Sequence, residues 1–217
     1  MRFRSLVSEK KIFFTLHVLL LIAGTYPLVT FEKVPLLLRL NSFYHPLLDL
    51  FFYYVTFLGS SKLYLLLMVV TLLMRKQNIR TLLVGIGSFA TMGGIIQGMK
   101  ILPYFDQARP ITLIPTAMSV HLVEGITHQT HLSFPSGHAG IIFTATWLIY
   151  FLAPKKPYWF SISLLLLACA VAYSRIYLCQ HFYRDVYVGA LIGMGSTTAV
   201  YTFLKHWQGP AWLDQPL

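Results

Sequence analysis

Charge is scarce in this 217-residue chain: 11% of the residues are Asp, Glu, Lys or Arg, and only seven are acidic. Soluble domains usually carry about 25% charged residues. This shortage, beside a hydrophobic content of 56% and an aromatic content of 15%, excludes an ordinary soluble globule and points to a membrane protein. The few carboxylates form no cluster of the kind that holds a divalent metal, so no metal is expected, and no other cofactor is implied. Cysteine is equally sparse. Cys169 lies in an apolar run and Cys179 in a turn, which gives two unpaired thiols rather than a disulfide framework. No internal repeat or low-complexity segment is present. The net charge of +10 is not gathered on one basic face. It falls in short clusters between apolar runs, as a membrane topology signal does, so nucleic acid is not expected as a partner.

What the chain does have is long apolar stretches. A helix needs about 20 mainly apolar residues to cross the hydrocarbon core. The basic start, MRFRSLVSEKK, leads into an apolar stretch longer than a signal-peptide core and without a small-residue cleavage site. It is therefore read as a retained first span over residues 12–30. The segment NSFYHPLLDLFFYYVTFL follows, amphipathic and aromatic-rich, with Asn41 as its cap; it reads as a short interfacial helix or a broken span near residues 41–58. Further spans are predicted over 62–74, extended back towards Gly59, and over 81–101, 137–153, 160–177 and 182–204. Gly94 with Gly98, and Gly189 with Gly193, have the spacing that lets a neighbouring helix approach closely. The expected fold is an all-α, polytopic bundle of six transmembrane helices, forming a single integral-membrane domain over residues 1–217.

The basic residues set the orientation. Arg2, Arg4, Lys10, Lys11, Arg75, Lys76, Arg80, Lys155, Lys156 and Lys205 fall on one side in dense, short clusters, which places that side and both termini in the cytoplasm. The other side holds Lys33, Arg39, Lys62, Lys100, Arg109, Arg175 and Arg184. It also gathers three unusual segments: Lys100 followed by the ARP of residues 108–110, FPSGH over 134–138, and SRIYLCQHFYRD over 174–185.

Lys100, Arg109 and Arg175 bring three cations to one membrane surface with no matching carboxylate cluster. They would repel one another unless an anion sat among them. Arginine offers a planar fork suited to phosphate and lysine a compact charge. Ser136 and Gly137 open a helix whose first N–H groups can face the same anion. His181 and Asp185 stand four apart, which on a helix puts them on one face. The carboxylate can then hold a proton on one ring nitrogen and leave the other free as a nucleophile, while His138 protonates the leaving oxygen. That set describes phosphoryl transfer through a phosphohistidine, with the cations on the equatorial oxygens.

These residues resemble the type 2 phosphatidic acid phosphatase superfamily, whose signature is Lys, a gap, Arg-Pro; Pro-Ser-Gly-His; and Ser-Arg, five residues, His, three residues, Asp. The second and third parts are complete here as Pro135 to His138 and as Ser174, Arg175, His181 and Asp185. The first departs: eight residues separate Lys100 from Arg109, longer than the family's usual gap, with the excess assigned to a loop near Pro103. The resemblance covers residues 100–185. It implies His181 as nucleophile, Asp185 as its partner, His138 as acid, and Lys100, Arg109 and Arg175 with Ser136 and Gly137 as the phosphate site. It also implies a six-span lipid phosphatase.

Singly, each residue has an ordinary reading: Lys100 snorkelling at a helix end, Arg175 and Arg184 as interfacial anchors, His181 with Asp185 as a structural pair. His17 reads as packed or bonded to a neighbouring helix. His121, His128 and His131, with Glu124 and Asp106, read as solvated loop groups or head-group contacts, since their spacing matches no strong metal pattern. Together the motif residues point to an enzyme removing phosphate from a lipid at the outer face, and the basic loop set and compact size point to a bacterial inner membrane. The resemblance implies several substrates, namely polyprenyl diphosphate, the lipid A phosphates, phosphatidylglycerol phosphate and phosphatidic acid; of these, lipid A and undecaprenyl diphosphate are favoured, because an outward-facing site meets them there. A lipid-to-lipid phosphotransferase would use the same residues. A non-catalytic lipid-binding or transport protein would need only the cations. The expected partners are the lipid phosphate and membrane lipids, with no obligate protein partner.

Overall fold

The computed structural model describes residues 11–73, 78–102, 107–115, 118–153 and 157–215. Arg2, Arg4, Lys10, Arg75, Lys76, Lys155, Lys156, Pro103 and Asp106 lie outside the described residues. The described residues form helices and no strand, in the order α1 (Lys11–Thr30), α2 (Lys33–Asn41), α3 (Pro46–Val55), a 3-10 turn (Thr56–Gly59), α4 (Ser61–Leu73), α5 (Ile79–Ile101), the single turn α6 (Pro110–Leu113), α7 (Gly137–Leu152), α8 (Tyr158–Tyr177), α9 (Tyr183–His206) and a closing 3-10 turn (Ala211–Asp214).

Four of these helices, α1, α5, α8 and α9, are long and apolar enough to cross a bilayer. Residues 46–59 and 61–71 pass the same test jointly but are bent by 56° at their junction. The segment near 41–58 fits the broken-span alternative, since together with α4 it is apolar enough for one crossing. It runs through the turn at 56–59 into α4. Asn41 does not cap it. Asn41 ends α2, and α3 is capped by His45, whose ring accepts from the Leu47 N–H at 3.2 Å. The reason is that Asn41 is fully engaged elsewhere: its amide donates to the carbonyls of Tyr177 (2.8 Å) and His121 (3.1 Å) and accepts from the His121 N–H (2.8 Å).

Helix α7 has 16 residues, fewer than the roughly 20 of a full crossing. Eleven of them are buried, which makes it the central helix, enclosed by protein rather than lipid. Lipid is as apolar as a leucine side chain, so little hydrophobic force drives helices together in a membrane, and close packing has to do it. Gly189 and Gly193 of α9 provide that contact. A Cβ at Gly189 would overlap the carbonyl oxygen of Ser136, and one at Gly193 that of Gly140. On the other side, Gly140 receives Met92 and Ile96 of α5. Gly94 and Gly98 do not act as their spacing predicts: a Cβ at either meets nothing within 4 Å. Equal spacing puts two glycines on one face, but α5 turns that face away from its neighbours.

Aromatic rings fill the opposite end of the bundle. Phe13 stacks on Tyr150 at 3.8 Å and meets Trp147 edge-on at 5.1 Å. His17 packs in this layer, with its Nδ1 bonded to the Phe13 carbonyl of its own helix (2.8 Å) rather than to a neighbouring one. Arg80, at the start of α5, forms a bidentate pair with Asp214 (2.6 and 2.8 Å) and ties down the closing turn.

Candidate active site

The ends of α5 and α8 and the starts of α7 and α9 meet at one end of the bundle. The turn from α8 into α9 takes only five residues, and a left-handed residue, Cys179 (φ 52°), makes it possible. The N–H groups of Gln180 and His181 both donate to the Arg175 carbonyl, at 2.9 and 3.0 Å. The turn therefore folds His181 back over the last turn of α8, beside Arg175.

His181 thus lies outside a helix, two residues before α9 begins, and not on a shared helical face with Asp185 as predicted. The tight turn, not helical periodicity, brings the pair together: His181 Nδ1 lies 3.6 Å from Asp185 Oδ2. Asp185 is the third residue of α9, and its Oδ2 accepts from the Phe182 N–H at 3.0 Å, the acidic half of a capping box. The same oxygen accepts from the hydroxyl of Ser133 at 2.5 Å. Burial, opposed in part by Asp185, pushes the His181 ring down to about 4, so it is neutral at neutral pH.

Ser136 caps α7: its hydroxyl accepts from the Ala139 N–H at 3.5 Å, and its own N–H donates to the Asp185 carbonyl at 2.9 Å. The hydroxyl proton is not used by the cap. The Phe134–Pro135 bond is cis. A Cβ on Gly137 would project into open space, with no protein atom within 4 Å. The N–H groups of Gly137 and His138, in the first turn, have no intrahelical acceptor and face out of the helix start.

The cations are anchored one by one. The Arg175 guanidinium donates from Nη1 to the hydroxyl of Thr56 at 2.6 Å. That of Arg109 donates to the His131 carbonyl (3.0 Å) and to both the carbonyl and side-chain oxygens of Gln180 (3.2 Å each). Burial pushes Arg109 below its ordinary value, and Asp185 opposes the shift. Lys100, half-buried, stands in the last turn of α5. Lys100, Arg109, Arg175, His138, His181 and Asp185 all lie within electrostatic reach of one another's cluster. Arg109 and Arg175 are 6% and 8% exposed, so their repulsion is little screened, and among the described residues one carboxylate, Asp185, faces three cations. Arg175 Nε, His181 Nδ1 and Asp185 Oδ1 are buried without a hydrogen-bond partner. The clustered cations, with Arg175 Nε unpartnered, favour a bound anion.

The sequence reading missed the residues that hold these groups: Thr56, Gln180 and Ser133. Gln180 and Ser133 adjoin motif residues, which is a weak signal. Thr56 comes from the turn after α3 and carries none. The loop histidines have structural partners. His121 pairs with Asp49 (2.8 Å) under the stacked ring of Tyr44, Tyr177 bonds the same carboxylate, and His128 meets the Leu178 carbonyl at 3.2 Å. Arg184, exposed, lies 5.0 Å over the Phe134 ring and bonds Gln107.

The PAP2 superfamily model matches residues 81–208, a stretch that contains all of these motif residues. The chain belongs to the PAP2 superfamily. Among curated proteins it is similar to the bacitracin transport permease protein BcrC of Bacillus licheniformis, 42% identical over 76 residues, which are 35% of this chain and 36% of that relative's length. Among solved structures it is similar to LpxE of Aquifex aeolicus, with a TM-score of 0.66 and 29% identity over 79% of this chain and 96% of LpxE. It is also similar to a transmembrane PAP2-type phosphatidylglycerolphosphate phosphatase from Bacillus subtilis, with a TM-score of 0.66 over 91% of this chain and 97% of that one. At 23% identity the latter likeness speaks for the fold alone. The resemblance read from the three motifs is thereby borne out at the level of the superfamily.

Proposed function

We propose that this PAP2 protein is an integral-membrane lipid phosphatase that hydrolyses a phosphomonoester or diphosphate of a lipid without a metal. The observation that carries the reading is the convergence of His181, Asp185 and His138 beside Lys100, Arg109 and Arg175 at one end of the bundle. A phosphoryl group among the cations offsets their repulsion and meets the free N–H groups of Gly137 and His138 and the hydroxyl proton of Ser136. His181, neutral and carrying its proton on Nδ1 towards Asp185, attacks phosphorus through Nε2. The P–O bond to the lipid breaks, and the departing oxygen takes a proton from His138. Water then attacks the phosphohistidine, giving its proton to His138, and inorganic phosphate leaves as His181 is restored.

In this reading α7 is the fourth of six spans, and its short length places the start of the helix, with His138, below the membrane surface. The positive-inside pattern puts the site on the periplasmic side of an inner membrane, with the termini in the cytoplasm. Lipid A and undecaprenyl diphosphate are the favoured substrates, since an outward-facing site meets them there. Purified protein in detergent, offered a panel of lipid phosphates, is expected to release phosphate in the presence of EDTA and to lose that activity as His181→Ala. Release abolished by EDTA, or undiminished in the variant, overturns the proposal. Cysteine labelling of residues 134–138 from the cytoplasmic side alone overturns the orientation.

A further inference from the structure

The two histidines come from different segments, and their separation has to be fixed by something that spans both. Ser133 does this from outside the motif. It is fully buried, and its hydroxyl donates to Asp185 Oδ2 at 2.5 Å. Three residues on, the Ser136 N–H donates to the Asp185 carbonyl at 2.9 Å. Asp185 is therefore held, by side chain and backbone together, to the segment that delivers His138. Ser133 is itself held from behind: its N–H donates to the Gln107 carbonyl at 2.9 Å, two residues before Arg109. One serine thus ties together the segments of all three motifs.

The carboxylate shows what this tie is for. An ionised carboxylate only accepts hydrogen bonds, at two oxygens. Oδ2 takes the Ser133 hydroxyl and the Phe182 N–H; Oδ1 takes none, and His181 Nδ1 waits 3.6 Å from Oδ2 with no partner. Attack through Nε2 requires the ring proton to stay on Nδ1, held by this carboxylate. The torsion that turns a carboxylate about its own axis is broad and weakly restrained. Two donors on Oδ2 from different directions fix that torsion. Catalytic hydrogen bonds are often long in the unliganded protein and tighten when substrate binds, so a closure of a few tenths of an ångström completes the pair. With only the Phe182 N–H left, the carboxylate can turn and the imidazole loses its reference.

We propose that Ser133 is a positioning residue for phosphoryl transfer: its hydroxyl sets the Asp185 carboxylate, which holds His181 in the attacking tautomer at a fixed distance from His138. The inference rests on His181 being the nucleophile. The hydrogen bonds of Ser133 go to Asp185 and to the Gln107 carbonyl, not to the cations, so its loss should act on the chemical step and not on anion binding.

The test measures kcat on a lipid phosphate and the inhibition constant of inorganic phosphate, which occupies the cation cup without bonding the imidazole, for wild type, Ser133→Ala and Ser133→Thr. Hydrogen bonds to charged groups are strong enough that Ser133→Ala should lower kcat about 10- to 100-fold. The phosphate constant should stay within about threefold, since the cation cup is intact. Ser133→Thr keeps the hydroxyl and should retain well over the Ala variant's kcat. An unchanged kcat in Ser133→Ala overturns the proposal. So does a phosphate constant that worsens by the same factor as kcat, which would mean simple loss of structure, and so does a Thr variant no more active than Ala. A wild type that releases no phosphate from any lipid overturns the phosphatase reading itself, whereas the other failures leave that reading standing.

Discussion

The contact between α7 and α9 should set catalysis as well as packing, and Gly189→Ala tests this. Gly189 lies one helical turn beyond Asp185 and directly against Ser136. A Cβ there would sit 3.2 Å from the Ala139 Cβ and 3.3 Å from the Ser136 carbonyl carbon, and would overlap the Ser136 oxygen. Carbon atoms pack best at about 3.5–4.0 Å, and the obstacle is backbone, so no side chain can swing aside. The helices must part by about 0.5–1 Å at this level. Overpacking of this kind costs about 1–3 kcal/mol. Its larger effect is functional: the shift falls on the Ser136 N–H bond to Asp185 and alters the spacing between His138 and His181. A misplacement of about 1 Å in a reacting group can cost about 100-fold. The expected result is a kcat about 30- to 100-fold lower in detergent-purified protein, with the helical circular-dichroism signal retained. Gly94→Ala is the control, because its Cβ would meet nothing within 4 Å; it should keep full activity and gain about 0.5–1 kcal/mol of helix preference. A Gly189→Ala protein with more than half of wild-type kcat, or a Gly94→Ala protein that loses as much, would show that this helix contact does not set the site.

Two further outcomes follow from the same geometry. Thr56→Val is nearly isosteric and removes the hydroxyl that receives Arg175 Nη1 at 2.6 Å; a hydrogen bond to a charged group contributes about 1.5–3 kcal/mol, so kcat/KM should fall about tenfold or more, and an unchanged value would show that Thr56 does not orient Arg175. The His181 ring is lowered to about 4 from its ordinary 6.5. In the folded protein it stays neutral down to about 4, whereas the unfolded chain binds that proton near 6.5; this group's contribution to stability is therefore full above 6.5 and is lost as pH falls from 6.5 towards 4. For the same reason, after allowance for the ionisation of the substrate phosphate, the His181 limb of kcat/KM should lie well below 6.5. A limb at 6.5 that persists after that allowance would contradict the buried, neutral ring.

The motif residues were legible in the sequence because they stand at helix ends, where a change from apolar to polar residues is visible without coordinates. Lys100, Arg109, Arg175, His138, His181 and Asp185 could be assigned to one face by counting spans. What could not be read was how the pieces are held. The spacing of His181 and Asp185 matches one helical turn, yet the chain reverses through Cys179 and reaches the same proximity by a tight turn. Two glycine pairs with identical spacing behave differently, because spacing names a face but not what lies across from it. Asn41 looked like a helix cap and instead joins α2 to Tyr177 and His121, a link between distant segments that carries no local signal. Thr56 was invisible for the same reason, and Ser133 carried only the weak signal of its place beside Phe134.

The proposal that His181 attacks phosphorus can be checked by trapping the intermediate. Protein mixed with a lipid carrying radiolabelled phosphate and quenched within milliseconds should carry label that survives base, is released by acid, and maps to the peptide containing His181. The label should be absent from His181→Ala. Label on another residue, or label and turnover that persist in His181→Ala, would contradict the mechanism.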